Sequence, residues 1–252
     1  MSGTVYMVGA GPGATDLLTL RAARLLAASD IVFYDALVHP ETVALATNAE
    51  KIAVGKRCGR HSTVQQFINK RLVDAARTHP VVVRLKGGDP MLFARAQEEI
   101  DALNAAGIEV EIVPGITAAL AAGASLGVSL TRRGVSRNVV FVTPRVGPGE
   151  KRNDWTGSAS AADTAVVYMG AREAGILAKE LLAKGLSPET PVAIVENASL
   201  HDERLHLGTV AELEQIAERV GAGPAVIVVG EVLREKLEAA RASEARPLRK
   251  TS

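Results

Sequence analysis

A short β-branched run, Val81-Val82-Val83, leads into Arg84-Leu85-Lys86-Gly87-Gly88-Asp89-Pro90, and no other stretch constrains the fold of this chain as much. Three consecutive valines read as a buried strand. Adjacent glycines at its carboxyl end let the backbone approach a ligand more closely than a Cβ would permit. Asp89 supplies an acceptor, and Pro90 fixes the turn into a helix read over Met91 to Ala106. Strand, glycine turn and helix together make the unit of an α/β protein, in which ligands collect at the carboxyl ends of strands. By itself the stretch is equally an ordinary strand-to-helix turn.

Other loops share that placement. Val5-Tyr6-Met7-Val8 runs into Gly9-Ala10-Gly11-Pro12-Gly13, and Asp16 to Ala28 reads as a helix with a leucine stripe. Ile31-Val32-Phe33-Tyr34 ends at Asp35, and Lys51 to Val54 leads into the basic segment Gly55 to His61. Strand Glu109–Val113 precedes Pro114-Gly115-Ile116-Thr117-Ala118 and the small-residue helix Ala119 to Leu126. Polar, basic residues 131–137 read as a linker between an amino-terminal domain, 1–130, and a carboxyl-terminal domain, 138–240, with 241–252 a flexible tail. In the second domain, strands at 138–143, 165–169, 192–195 and 225–230 alternate with helices, Leu205–Thr209 fits an antiparallel strand, and Arg145 to Ser160 reads as a long loop.

Composition narrows the class. The chain has 252 residues, one cysteine, few aromatics and a formal net charge of +1. A lone Cys58 forms no disulfide within the chain, which fits a reducing cytoplasm. No apolar run approaches the roughly 20 residues that span a bilayer, the first residues lack a signal peptide's pattern, and near-zero charge gives no global case for nucleic acid. No clustering of ligand-type residues points to a metal.

Gly9-x-Gly11-x-x-Ala14, with Asp35 at the end of the next strand, satisfies a loose dinucleotide fingerprint. Pro12 removes an N–H from the loop that would cradle a pyrophosphate, and Asp16 puts negative charge where phosphate would sit. A neutral or cationic ligand suits the loop better.

Val8 to Gly13 with Asp16 to Ala22, Tyr34-Asp35-Ala36-Leu37-Val38, Gly55-Lys56-Arg57, Arg84 to Pro90, Pro114 to Ala118, Tyr168-Met169-Gly170 and Val195-Glu196-Asn197 carry a resemblance. In this order they are similar to the tetrapyrrole methylases, in particular the uroporphyrinogen-III C-methyltransferase branch. The resemblance implies two α/β domains, each a mixed sheet flanked by helices, with a cofactor cleft between domains, in a homodimer. It implies S-adenosylmethionine as methyl donor, S-adenosylhomocysteine as product and uroporphyrinogen III as substrate, methylated at carbons 2 and 7. The chain is expected to do this without a fused dehydrogenase–chelatase module.

Carried over by position, the resemblance assigns Pro12, Gly87, Gly88, Asp89, Leu92, Thr117, Ala118, Met169 and Ala198 to the cofactor. Asp35 becomes the proton acceptor and Lys56 the donor. From the residues alone, Asp35 is as readily a turn cap. A substrate with eight carboxylates calls for guanidinium and ammonium groups. Arg57, Arg60, Arg132 and Arg133 lie in basic loops that suit it, although such residues are also ordinary surface charge. Arg95 and Glu98, one helical turn apart, either pair with each other or face the tetrapyrrole.

Overall fold

The computed structural model describes residues 2–54, 61–147, 149, 151 and 154–244, and of 61–64 and 244 the backbone alone. The chain divides into two compact units, Met1–Ala118 and Ala119–Ser252.

The first unit runs β1 (Thr4–Gly9), α1 (Leu20–Ala28), β2 (Ile31–Tyr34), α2 (Pro40–Ala44), β3 (Glu50–Ala53), α3 (His61–Ala76), β4 (Val81–Lys86), α4 (Ala96–Ala105) and β5 (Glu109–Val113). Its sheet has the order β3-β2-β4-β1-β5. The sheet was expected to be mixed but is parallel throughout, because a crossing segment, helical in each case, returns the chain to the starting edge between strands. Side chains alternate between faces. Val5, Met7, Phe33 and Val82 meet Ile68 and Leu72 of α3 and Ile100 and Leu103 of α4. Val8, Val32, Val83 and Leu85 meet Ala22 and Leu26 of α1 on the other side. Thus β1 and β4, neighbours in the sheet, send their loops to helices on opposite faces, the arrangement that opens a crevice at the carboxyl ends of strands.

Two helices start later than their composition predicts. The chain reaches α4 at Ala96 rather than Met91, because Asp89 Oδ1 accepts the Met91 N–H at 2.8 Å and Phe93 and Arg95 adopt left-handed φ of 53° and 56°, which a helix interior excludes. Likewise α1 starts at Leu20 rather than Asp16, with the Thr19 hydroxyl accepting the Ala22 N–H at 3.1 Å.

The second unit begins within α5 (Ala118–Leu126) and continues β6 (Val139–Val142), α6 (Trp155–Ala161), β7 (Thr164–Tyr168), α7 (Ala174–Ala183), β8 (Pro191–Glu196), β9 (Arg204–Thr209), α8 (Leu213–Ala217), β10 (Ala225–Gly230) and α9 (Arg234–Glu244). Its sheet, β6-β7-β10-β8-β9, is mixed: β6 and β7 are parallel, while β9 pairs antiparallel to β8, as its sequence suggested. Ala119, Ala122 and Leu126 of α5 are buried with Val166, Val195 and Val228, so the division falls at Ala118, ahead of the boundary drawn at residue 130. Arg132 and Ser136, inside the segment read as a linker, exchange both backbone hydrogen bonds at 2.9 and 2.8 Å and close a turn. The stretch read as a loop over 145–160 holds all but the last residue of α6, started by Asp154, whose Oδ1 accepts the Gly157 N–H at 3.0 Å. Its Trp155 is buried in the core.

Candidate active site at the carboxyl ends of the parallel strands

The loops after β4, β1 and β5 meet backbone to backbone. Ala10 N–H donates to the Lys86 carbonyl at 2.8 Å, and Gly11 and Gly88 exchange hydrogen bonds at 3.2 and 2.8 Å, extending the β1–β4 ladder past its strands. A Cβ on Gly9 would lie 2.6 Å from Gly115 Cα, and one on Gly115 would run into the Gly88 carbonyl. These two glycines therefore admit a neighbouring loop. Gly88 is different: its φ is 67°, and a Cβ there would meet nothing nearer than Thr117 Cα at 3.9 Å among the described residues. Asp89 fastens the assembly, its Oδ2 accepting the Gly115 N–H at 3.0 Å while Oδ1 takes Met91. Pro12, Gly87, Gly88, Asp89, Leu92, Thr117 and Ala118 all remain half-buried around these loops. An open backbone surface at Gly88 beside a fixed carboxylate fits a neutral or cationic ligand.

Alternation along β4 places Arg84 and Lys86 on the α3–α4 face together with Val82. Both are 2% exposed, and Glu99 of α4, 0% exposed, faces them. Glu99 accepts from Arg84 Nε at 3.1 and 3.2 Å, from Arg84 Nη2 at 3.1 Å and from Lys86 Nζ at 3.1 Å on each oxygen. Gln65 Nε2 of α3 adds a bond to Oε1 at 3.1 Å. Above them, Asp35 Oδ1 accepts from Arg84 Nη2 at 2.6 Å, and Oδ2 lies 3.8 Å from Lys86 Nζ. Among the described residues the cluster holds two cations and two carboxylates, and of these four only Asp35, with 30% of its side chain exposed, reaches solvent. Burial on its own would lower the Arg84 pKa, but the facing Asp35 and Glu99 carboxylates hold it above the ordinary arginine value. Burial first, and the Arg84 charge second, hold the Lys86 ammonium below its ordinary range.

Asp35 is thus neither a free ribose acceptor nor a turn cap by its side chain, since its carboxylate is directed at the buried cations. Of the proposed partners, Lys56, Arg57 and Arg60 lie outside the described residues. Arg95 and Glu98 form a two-bond pair at 2.7 Å each, so the pairing alternative holds in this structure. Arg132 pairs with Glu235 at 2.7 Å on the surface of the second unit, and Arg133 is exposed beside it. In that unit Met169 follows β7 with φ 57°, and Ala198 is buried between Asn197 and Ser199, whose φ are 52° and 72°. Every non-glycine residue with positive φ among the described residues lies in a loop past the carboxyl end of β4, β7 or β8. Such strain concentrates at functional loops.

Sequence reasoning passed over Glu99 and gave Arg84 and Lys86 no role. A signal existed: cations at alternate positions of a buried strand need buried counter-charges, and Glu99 shares the buried stripe of Ala96, Ile100 and Leu103.

An open parallel sheet, glycine loops at its switch point and a carboxylate braced from beneath are the features of an α/β protein that binds ligands at the strand carboxyl ends. The model of the Tetrapyrrole (Corrin/Porphyrin) Methylases matches residues 4–214, and the chain belongs to that family. The siroheme synthase of Pseudomonas fluorescens (strain Pf0-1) is 44% identical over 240 residues, 94% of this chain and 52% of that protein. The chain therefore spans about half the length of the curated relatives it matches. The native uroporphyrin III C-methyl transferase from Thermus thermophilus superimposes with a TM-score of 0.81 at 40% identity, covering 92% of this chain and 94% of that one. The uroporphyrin-III C-methyl transferase from Thermus thermophilus complexed with S-adenyl homocysteine gives 0.80 at 39% identity, covering 92% and 100%. Among the described residues no helix is long and apolar enough to cross a membrane.

Proposed function

We propose that this chain is an S-adenosylmethionine-dependent methyltransferase that methylates uroporphyrinogen III at carbons 2 and 7, giving precorrin-2 through precorrin-1 for sirohaem and cobalamin synthesis. The observation that carries the reading is Asp35, a solvent-reaching carboxylate pinned by Arg84 at the carboxyl end of a parallel strand, in a chain of the tetrapyrrole methylase family. S-adenosylmethionine, when bound, supplies an electrophilic methyl to an electron-rich pyrrole carbon. Gly87, Gly88 and Asp89, with Pro12, Leu92, Thr117 and Ala118 around them, are the residues of the first unit that would hold it, and the open backbone at Gly88 suits that role. Met169 and Ala198 are the corresponding candidates of the second unit.

The protein's part in the chemistry is to orient, to exclude water and to move a proton. Methylation leaves a cationic ring that sheds a C–H proton; the bonding pair stays in the ring, and the proton goes to a carboxylate oxygen of Asp35. Arg84 keeps that carboxylate at a fixed bearing. Lys56 is the proposed donor, and Arg57, Arg60, Arg95, Arg132 and Arg133 are proposed contacts for the substrate's carboxylates. For Arg95 and Arg132 this means exchanging Glu98 and Glu235 for a ligand carboxylate. The chain is read as a cytoplasmic homodimer, and light scattering checks the dimer.

Calorimetric titration with S-adenosylhomocysteine and with NADH, followed by anaerobic methyl transfer to uroporphyrinogen III, tests the reading. Binding of S-adenosylhomocysteine alone is expected, with Asp35→Asn lowering the methylation rate by about 10²–10⁴-fold at unchanged affinity for it. NADH as the only ligand bound would overturn the methyltransferase, and a wild-type rate in Asp35→Asn would remove Asp35 from the mechanism.

A further inference from the structure

Asp35 stands over two buried cations, with Arg84 Nη2 at 2.6 Å from Oδ1 and Lys86 Nζ at 3.8 Å from Oδ2. A second carboxylate, Glu99, sits beneath them, touches both cations and is fully buried. It reaches neither solvent nor any surface a substrate could touch.

We propose that Glu99 is a positioning residue that sets the basicity of Asp35, offsetting one of the two buried cations so that the carboxylate oriented by Arg84 can still take up a proton. The proposal rests on the reading of Asp35 as the proton acceptor. Without Glu99, two cations would face one carboxylate and hold it ionised. Without Lys86, two carboxylates would share one guanidinium, and mutual repulsion would favour the protonated form of the exposed one. The balance among the described residues, two against two, lies between these extremes.

Among the described residues, the charged groups around Asp35 and its two cations come from two elements. From β4 there are Arg84 and Lys86. From the α4 side there are Glu99 and, farther out, Glu98, whose carboxylate feels Lys86 and pairs with Arg95. On α3, Gln65 and Asn69 are neutral. Gln65 donates to Glu99 Oε1 at 3.1 Å and Asn69 Nδ2 to the Glu98 carbonyl at 3.1 Å, so the amides hold Glu99 and α4 in place rather than touch Asp35. Burial and then the Arg84 charge hold the Lys86 pKa below its ordinary range, and Glu99 opposes both.

The test follows the Asp35 carboxyl carbon by NMR in the full chain labelled with ¹³C-aspartate, its resonance assigned by its loss in Asp35→Asn. Titrations are compared for wild type, Glu99→Gln, Lys86→Gln and the double variant, beside the acid limb of the methyl-transfer rate. Glu99→Gln is expected to lower the Asp35 midpoint by about one unit or more and Lys86→Gln to raise it by about as much. The double variant, with one cation and one carboxylate, returns it to within about half a unit of wild type. A purely structural role for Glu99 would not move the two single variants in opposite directions, so midpoints that stay put or move together overturn the proposal. If a single variant does not fold, the charge-balanced double decides: a midpoint displaced by about a unit or more overturns it equally. Midpoints that shift as stated while the acid limb of the rate does not follow support the tuning and overturn Asp35 as proton acceptor.

Discussion

The Arg84–Glu99 and Arg95–Glu98 pairs use adjacent glutamates of α4 and differ in almost everything else. Arg95 and Glu98 have the better geometry, two bonds of 2.7 Å against 3.1–3.2 Å for Arg84 and Glu99. Yet the Arg95 and Glu98 side chains are 47% and 50% exposed, those of Arg84 and Glu99 2% and 0%. Water solvates and screens the exposed pair whether or not it forms, so it adds little. The buried pair has lost its water and has only its partners, so removing any member strands a charge. Distance says which groups touch, and burial says what the contact is worth.

The largest expected effect follows from that difference. Glu99→Ala leaves Arg84 and Lys86 buried with Asp35 as their only charged partner among the described residues, and urea denaturation is expected to show a loss of about 3–5 kcal/mol. Replacing Lys86 and Glu99 together by Met sharpens the point. The Arg84–Asp35 pair survives, and the double variant should be more stable than the sum of the single losses by about 2 kcal/mol or more. Additive losses would mean that packing, not charge, governs the cluster.

Asp89 lies between the extremes, half-buried with backbone partners at 2.8 and 3.0 Å. Asp89→Ala is expected to destabilise by about 2 kcal/mol, since two N–H groups lose a charged acceptor. The same unfolding measurement checks it.

The smallest effect belongs to the exposed pair: Glu98→Gln should change stability by about 0.5 kcal/mol or less. It also has a direction in pH. The hydrogen bond from Arg95 holds the Glu98 carboxyl below its ordinary range. A depressed folded-state value means stabilisation that is complete above the unfolded glutamate value and is lost as pH falls through the folded one. The gap between wild type and Glu98→Gln should therefore be constant above about pH 5 and close below about pH 4. A gap that widens on acidification would contradict the assignment.

Most elements were legible along the chain. Val81-Val82-Val83, Ile31-Val32-Phe33 and Ala225 to Val229 are strands because β-branched and apolar residues fill a sheet buried on both faces. The glycine loops stood out by residue type, as did Asp35 at a strand end. Element ends were less legible where a side chain decided them. Asp154 starts α6 inside a stretch whose Gly and Pro content suggested a loop, and the Asp89–Met91 bond delays α4.

The sequence by itself determined the alternation of strands and helices and the family, because these depend on local periodicity and on residue types at fixed spacing. Only the tertiary structure decided what the residues do for one another. Gly9 and Gly115 accommodate a neighbouring loop rather than a ligand, and α5 belongs to the second sheet. Asp35 answers to Arg84, Lys86 and a glutamate far along the chain. Those outcomes depend on which groups lose their water together, and burial is a property of the assembled fold that no single stretch of sequence carries.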